Sequence, residues 1–147
     1  MRTLLHPART TPALRDLSLL VSRVAIGFVL RAHGWQKFRS HTLDGTAASF
    51  ADMGVPAPAA AALFAAVVEL VGGLALIAGL LTPVFAALNA LNLLGALVIV
   101  HAGNGLFVDN GGYELVLALI AGLLVIGALG AGRYSADELL TRWLQHA

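Results

Sequence analysis

From Ala57 to Leu81 the chain reads APAAAALFAAVVELVGGLALIAGLL, and the one charge in that run is Glu69. About 20 such residues, coiled as a helix, span the ~30 Å hydrocarbon core of a bilayer. Three further runs have the same character: Leu17–Phe38, interrupted by Arg23; Val84–His101; and Glu114–Gly130. In lipid the backbone groups of each run must be satisfied within the segment, which a helix does. Barrel strands would be shorter and would alternate polar with apolar residues. A soluble bundle would need a charged outer face on every helix, and the last three runs have none. The expected fold class is therefore all-α, an integral membrane bundle of four transmembrane helices forming a single domain. Composition agrees: 59% of residues are hydrophobic and 12% charged, against about 45–50% and about 25% in soluble domains.

A net charge of +1 leaves no basic block for a phosphate backbone, so nucleic acid is excluded as a partner. The chain has no cysteine, which removes disulfides and thiolate chemistry. Residues Met1–Asp16 form a basic lead with Arg2, Arg9 and Arg15. Arg23 and the lack of a small-residue cleavage site set the first run apart from a signal peptide. The tight turn LTPV places Pro83 at the start of the third helix, where its missing N–H costs nothing. The segment Arg39–Pro56 contains SFADMGVP, read as a short amphipathic turn whose greasy side is Phe50, Met53 and Val55. The other long connection, Ala102–Tyr113, is rich in glycine. Arg2, Arg9, Arg15, Arg133 and Arg142 flank one membrane face, against Lys37 and Arg39 on the other. The excess of basic residues predicts a multi-pass protein of the inner membrane, with the lead and the tail 131–147 both cytoplasmic.

Ionisable groups within such runs are costly and need a partner, a wet cavity or a nearby interface. Counting ~1.5 Å per residue from the external helix ends sorts them by depth. His33, Lys37, His101 and Glu114 lie near the surface; Glu69, Asn89, Asn92 and Arg23 lie deep; Arg31 falls between. At ~100° per residue, Arg23, Gly27, Leu30, Gly34 and Lys37 share one strip of the first helix. Glu69 shares a strip with Ala62, Ala65, Ala66, Gly72 and Gly73, small residues that let helices approach, so Glu69 faces inward. Its expected partner is Arg23, either as a lock between helices or as a group that handles a proton or ligand. Asn89 and Asn92 share a strip of the third helix as structural polar residues, while His101 points elsewhere unless that helix unwinds toward Gly103.

Two readings of the outer groups stand. His33 and Lys37 serve as interfacial residues beside Trp35, with Lys37 snorkelling to the surface. Alternatively, His33, His101 and Glu114 converge on a polar pocket with Lys37 at its mouth and Arg23 and Glu69 at its floor. Two histidines and a carboxylate can ligate a metal, yet the Glu-x-x-His pairs of di-iron bundles are absent. No metal site is assigned, haem is disfavoured, and no catalytic residue is named.

The order and spacing of RVAIGFVLRAHGWQKF, FADMGVPAPAAAALFAAVVELVGGLALIAGLLTP, VIVHAGNGLF, NGGYEL and GAGRYSADEL carry a resemblance. From Leu17 to Leu140 the chain resembles the DoxX family of small bacterial and archaeal four-helix membrane proteins. The resemblance implies Arg23, His33, Lys37, Glu69, His101 and Glu114 as family-like polar positions, without an agreed catalytic role. Pro83 departs from the residue expected after the threonine and suits a helix start. Relatives look like partners in redox assemblies, one branch linked to thiosulfate:quinone oxidation and another to a mycobacterial complex with superoxide dismutase and a sulfurtransferase. The function this implies is a subunit of a redox or oxidative-stress membrane complex, whose pocket takes a quinone-like or other small ligand. The alternatives are a non-catalytic scaffold or assembly protein, or a small transporter. Expected partners are the lipid bilayer, membrane or peripheral redox proteins, and a second copy in a homo-oligomer.

Overall fold

Pro12, Pro58 and Pro83 each stand in the first turn of a helix, where a backbone N–H would have no intrahelical acceptor. The computed structural model describes residues 11–146, so Arg2 and Arg9 of the basic lead lie outside the described residues. Helix α1 spans Pro12–Arg39, α2 Leu43–Asp52, α3 Pro58–Ala78, α4 Thr82–Ala96, α5 Glu114–Leu129 and α6 Ala136–His146. Among the described residues there is no strand. The chain is all-α. Two helical stretches, α3 and the run from Thr82 to Asn104, are long and apolar enough to cross a membrane, and α5 is apolar but shorter.

Two helices stand where the sequence reading has less regular structure. The loop Arg39–Pro56 holds the ten-residue helix α2, whose Thr42 cap accepts a hydrogen bond from the Gly45 N–H at 3.2 Å. Of the segment read as an amphipathic turn, Ser49–Asp52 form the last turn of α2 and Met53–Pro56 follow it. The tail beyond Gly130 holds α6. Helix α1 also starts at Pro12, inside the stretch read as a lead.

The bundle is organised around the contact between α1 and α3. A Cβ placed on Gly27 would lie 2.6 Å from the Gly73 carbonyl oxygen, and one on Gly73 would lie 2.6 Å from the Arg31 nitrogen. The two backbones therefore touch, which the glycines permit and any side chain would prevent. The buried strip of α1 is Leu19, Arg23, Gly27, Leu30 and Gly34, and that of α3 runs through Ala62, Ala65, Ala66, Glu69, Gly72, Gly73 and Leu76. Leu30 and Leu76 join Ala86, Ala90 and Leu93 of α4 and Val116, Leu123 and Ile126 of α5 in one core cluster. The outward faces are also greasy: Leu63, Phe64 and Val71 on α3, Leu91 and Val98 beyond it, and Leu117 and Leu124 on α5 are exposed. Exposed apolar surface on this scale is what lipid covers.

At the other end of α3, Gly79 turns the chain with φ at 69°. Asp137 of α6 reaches back to this turn. Its carboxylate accepts from the Leu81 N–H at 2.6 Å and the Thr82 N–H at 3.0 Å, and its own N–H donates to the Gly79 carbonyl at 2.9 Å. Asp137 thus supplies the acceptors that the first N–H groups of α4 lack, and its negative charge suits that end of the helix dipole.

Three substitutions test this account by thermal unfolding in one detergent. Gly73→Leu should cost about 3 kcal/mol, because the added side chain must push the touching backbones of α1 and α3 apart. Gly95→Ala meets nothing within 4 Å of the new Cβ and should be neutral or gain up to about 1 kcal/mol of helix propensity. Asp137→Ala should cost about 1–2 kcal/mol, the usual loss for a helix cap.

Candidate functional site

The register set by the glycines places the outer end of α1 against the middle of α3, and the middle of α1 against the end of α3. Lys37 comes to the level of Glu69, and Arg23 to the level of the last carbonyls of α3. Glu69 is 5% exposed. Its Oε2 receives the Lys37 ammonium at 2.5 Å, and its Oε1 accepts from the Asn92 side-chain amide of α4 at 3.0 Å. One carboxylate thereby binds three helices. The Lys37 side chain is only 18% exposed, so it turns inward to an acid rather than snorkelling to the surface.

Arg23 does not pair with Glu69, contrary to the sequence reading. It is 1% exposed and donates to the carbonyls of Leu76 at 3.0 Å, Ile77 and Tyr134. The separation from Glu69 to Leu76 is roughly 10 Å along the helix, too far for one guanidinium to serve both levels. The end of α3 attracts it instead, because carbonyls without intrahelical donors and the negative pole of the helix dipole favour a cation. Asn89 is likewise occupied by backbone, donating to Phe85 at 2.9 Å and Val68 at 3.3 Å.

At its outer end α4 widens into a π turn over Leu97–His101. An unbroken α-helix would aim His101 away from Asn92; the wider turn brings it back toward that face, and both line the same cavity. His101 Nδ1 lies 2.7 Å from the Gly111 carbonyl oxygen. A carbonyl can only accept, so Nδ1 carries the proton and Nε2 remains for another partner. Glu114 does not enter this group. Its Oε1 accepts from the Val108 N–H at 2.8 Å, while its backbone N–H donates to Leu106 at 2.9 Å, so it ties down the glycine-rich loop. A carboxylate at the first position of α5 finds unpaired loop N–H groups closer than the histidines.

Two cavities meet at Lys37, Glu69 and His101. One, of about 390 Å³, lies among α2, α3 and α4, with Phe50, Met53, Phe64, Leu91 and Ile99 on its walls and Lys37, Glu69, Asn92 and His101 as its polar groups. The other, of about 230 Å³, lies among α1, α4 and α5, with Leu30, Leu93 and Leu119 on its walls and His33 at its edge. The site brings together His33, Lys37, Glu69 and His101, adds Asn92, and leaves out Arg23 and Glu114. Arg31 is exposed, and Arg39 stacks over the Trp35 ring at 5.8 Å, outside both cavities. Among the described residues no cluster of three or more His, Asp or Glu side chains is arranged to hold a metal ion.

A family model described as DoxX matches residues 18–102, from the second turn of α1 through the π turn. The chain belongs to the DoxX family. It is a membrane protein. "Putative oxidoreductase CatD" of Bacillus subtilis (strain 168) is 32% identical over 104 residues, covering 71% of this chain and 74% of that protein. "Inner membrane protein YphA" of Escherichia coli (strain K12) is 28% identical over 131 residues, covering 86% of this chain and 92% of that protein. No solved structure matches. In this DoxX chain the family match includes Lys37, Glu69, Asn92 and His101 but ends before Glu114.

Lys37→Met should leave the Glu69 carboxylate buried with an asparagine alone and lower stability by about 3 kcal/mol. Adding Glu69→Gln removes the stranded charge and should recover most of that loss. Thermal unfolding of the two single variants and the double variant, in one detergent, measures the coupling between them.

Proposed function

We propose that this protein is the four-helix membrane subunit of a redox assembly and that its lateral cavity holds the headgroup of a quinone-like ligand. In this reading α1, α3, α4 with its π turn, and α5 cross the inner membrane. Arg15, Arg133 and Arg142 lie on the cytoplasmic side with both termini, and Lys37 and Arg39 lie toward the outside. The observation that carries the ligand is the cavity of about 390 Å³, greasy along its walls and polar at Lys37, Glu69, Asn92 and His101. Small-molecule sites have this build, mostly apolar with a few polar groups that fix orientation. A flat, apolar-tailed molecule with oxygens at its ring edge meets both demands and reaches such a site from lipid.

His101 suits both oxidation states of such a headgroup. Neutral, its Nε2 accepts from a quinol hydroxyl; protonated, it donates to a quinone carbonyl. Lys37 and Asn92 are donors on the same cavity. Electrons would pass to or from a membrane or peripheral redox partner. The name of the Bacillus relative supports the redox setting, and that of the Escherichia relative supports the inner membrane.

The bond set of Glu69 favours one competing reading, in which the cluster only locks three helices in a scaffold or assembly protein. A short-chain ubiquinone titrated into the protein in nanodiscs separates the two, together with solvent extraction of the purified protein. Saturable binding is expected, weakened roughly tenfold by His101→Ala, the worth of about one charge-assisted hydrogen bond, with the thermal midpoint lowered only by the loss of the Gly111 bond, about 1 kcal/mol. Absence of both saturable binding and extractable quinone would leave the scaffold.

A further inference from the structure

The most amphipathic element of the described chain is not in the bundle. On α6, at ~100° per residue, Leu139, Leu140, Trp143 and Leu144 fall within an arc of roughly 140°. Glu138, Thr141, Arg142 and Gln145 take the opposite side. The four apolar side chains are 45–69% exposed. No buried residue lies on this helix. It meets the bundle through its first turn, where Asp137, on the border between the two faces, caps α4 and bonds Gly79.

We infer that α6 is an interfacial helix that lies along the lipid–water boundary with Leu139, Leu140, Trp143 and Leu144 sunk among the lipid headgroups. Three observations select lipid as the occupant of this face. First, the pinning point is the end of α3 and the start of α4, two helices long and apolar enough to span a membrane, so α6 begins where those helices leave the hydrocarbon. Second, the exposed apolar surface is continuous in kind across that boundary: Leu80, Leu81 and Val84 beside the pin and Leu129 at the end of α5 are exposed too. Third, the apolar arc contains a tryptophan, whose ring with one N–H donor favours the headgroup layer. A narrow apolar face opposite a polar one is the pattern of helices that lie on membranes rather than cross them.

The charges say what drives this seating. Asp137 and Glu138 stand against Arg142, and Arg142 is held by Glu138 at 2.8 Å. No excess of positive charge draws the helix to anionic headgroups, so apolar burial is the driving force and zwitterionic lipid is enough.

Trp35 and Trp143 are the two tryptophans of the chain, so Trp35→Phe leaves Trp143 as the one indole reporter. This variant, reconstituted at low protein-to-lipid ratio into phosphatidylcholine vesicles brominated at defined acyl positions, reports the depth of the ring. The expected result is blue-shifted emission, quenched most by bromines next to the headgroup, less by bromines near the chain ends, and little by aqueous iodide. Leu139→Ser with Leu144→Ser should shift the emission to the red and abolish the bromine quenching. The thermal midpoint should stay put, since the Asp137 cap is untouched. Trp143 quenched by iodide and not by bromolipid overturns the inference. So does protection from iodide, without bromolipid quenching, that rises with the protein-to-lipid ratio; it would assign this face to a second copy of the chain.

Discussion

The backbone contact between Gly27 and Gly73 determines where the polar groups of this bundle find partners. Two helices that touch along glycines resist sliding, because side chains such as Leu30 and Leu76 along the same strips would have to climb over the other helix. Once that register is set, Lys37 stands opposite Glu69 and Arg23 opposite the carbonyls of Leu76 and Ile77. The cation with a forked, multi-donor head serves several carbonyls at a helix end, and the cation with a single ammonium serves one carboxylate. Arginine and lysine are not interchangeable in these places. Their exchange would leave carbonyls without donors at one end and crowd a guanidinium against Asn92 at the other.

The DoxX chain thereby keeps a charged pair well inside an apolar assembly at the meeting of two cavities. The pair is tolerated because every element around it contributes: α1 gives the cation, α3 the anion and α4 an amide donor. Buried pairs seldom add stability over apolar residues of the same shape. Beside a cavity, such a pair gives the wall a charged and hydrogen-bonding surface that a leucine would not. The π turn points the same way. An extra residue in a helical turn sacrifices regular hydrogen bonding, and here it brings His101 to the cavities that Lys37 and Glu69 line.

Helix content and facing are legible in the sequence because they depend on periodicity alone. The strips of α1 and α3 drawn at ~100° per residue are the buried strips of the structure. Partnership is less legible, because it depends on the offset between helices. Depth counted from helix ends places Arg23 and Glu69 in one layer, while the glycine contact puts them about two turns apart. Glu114 escapes the sequence for a related reason: its position on α5 faces the site's level, but the loop folds its own N–H groups over it. Asp137 carries a signal that depth and facing overlook. Ser135 and Glu138 have the spacing of a helix start, the Ser135 hydroxyl accepts from the Glu138 N–H at 3.2 Å, and the apolar residues that follow keep helical spacing.

What separates the polar groups that line the cavities from the others is the kind of atom each one bonds. Arg23, Asn89, Glu114 and Asp137 all bond backbone groups, at helix ends, beside a close helix contact or in a loop. Glu114 and Asp137 meet N–H groups of a loop and of a helix start, and Arg23 and Asn89 donate to helix carbonyls, so these bonds form within the fold itself. Lys37, Glu69 and Asn92 bond one another through side chains and line open volume, and His101 spends one ring nitrogen on the loop and keeps the other. Side chains that bond each other can exchange partners without breaking a helix. A ligand oxygen could therefore take the place of one of these bonds at small structural cost, which is the property a binding site within a tightly packed bundle requires.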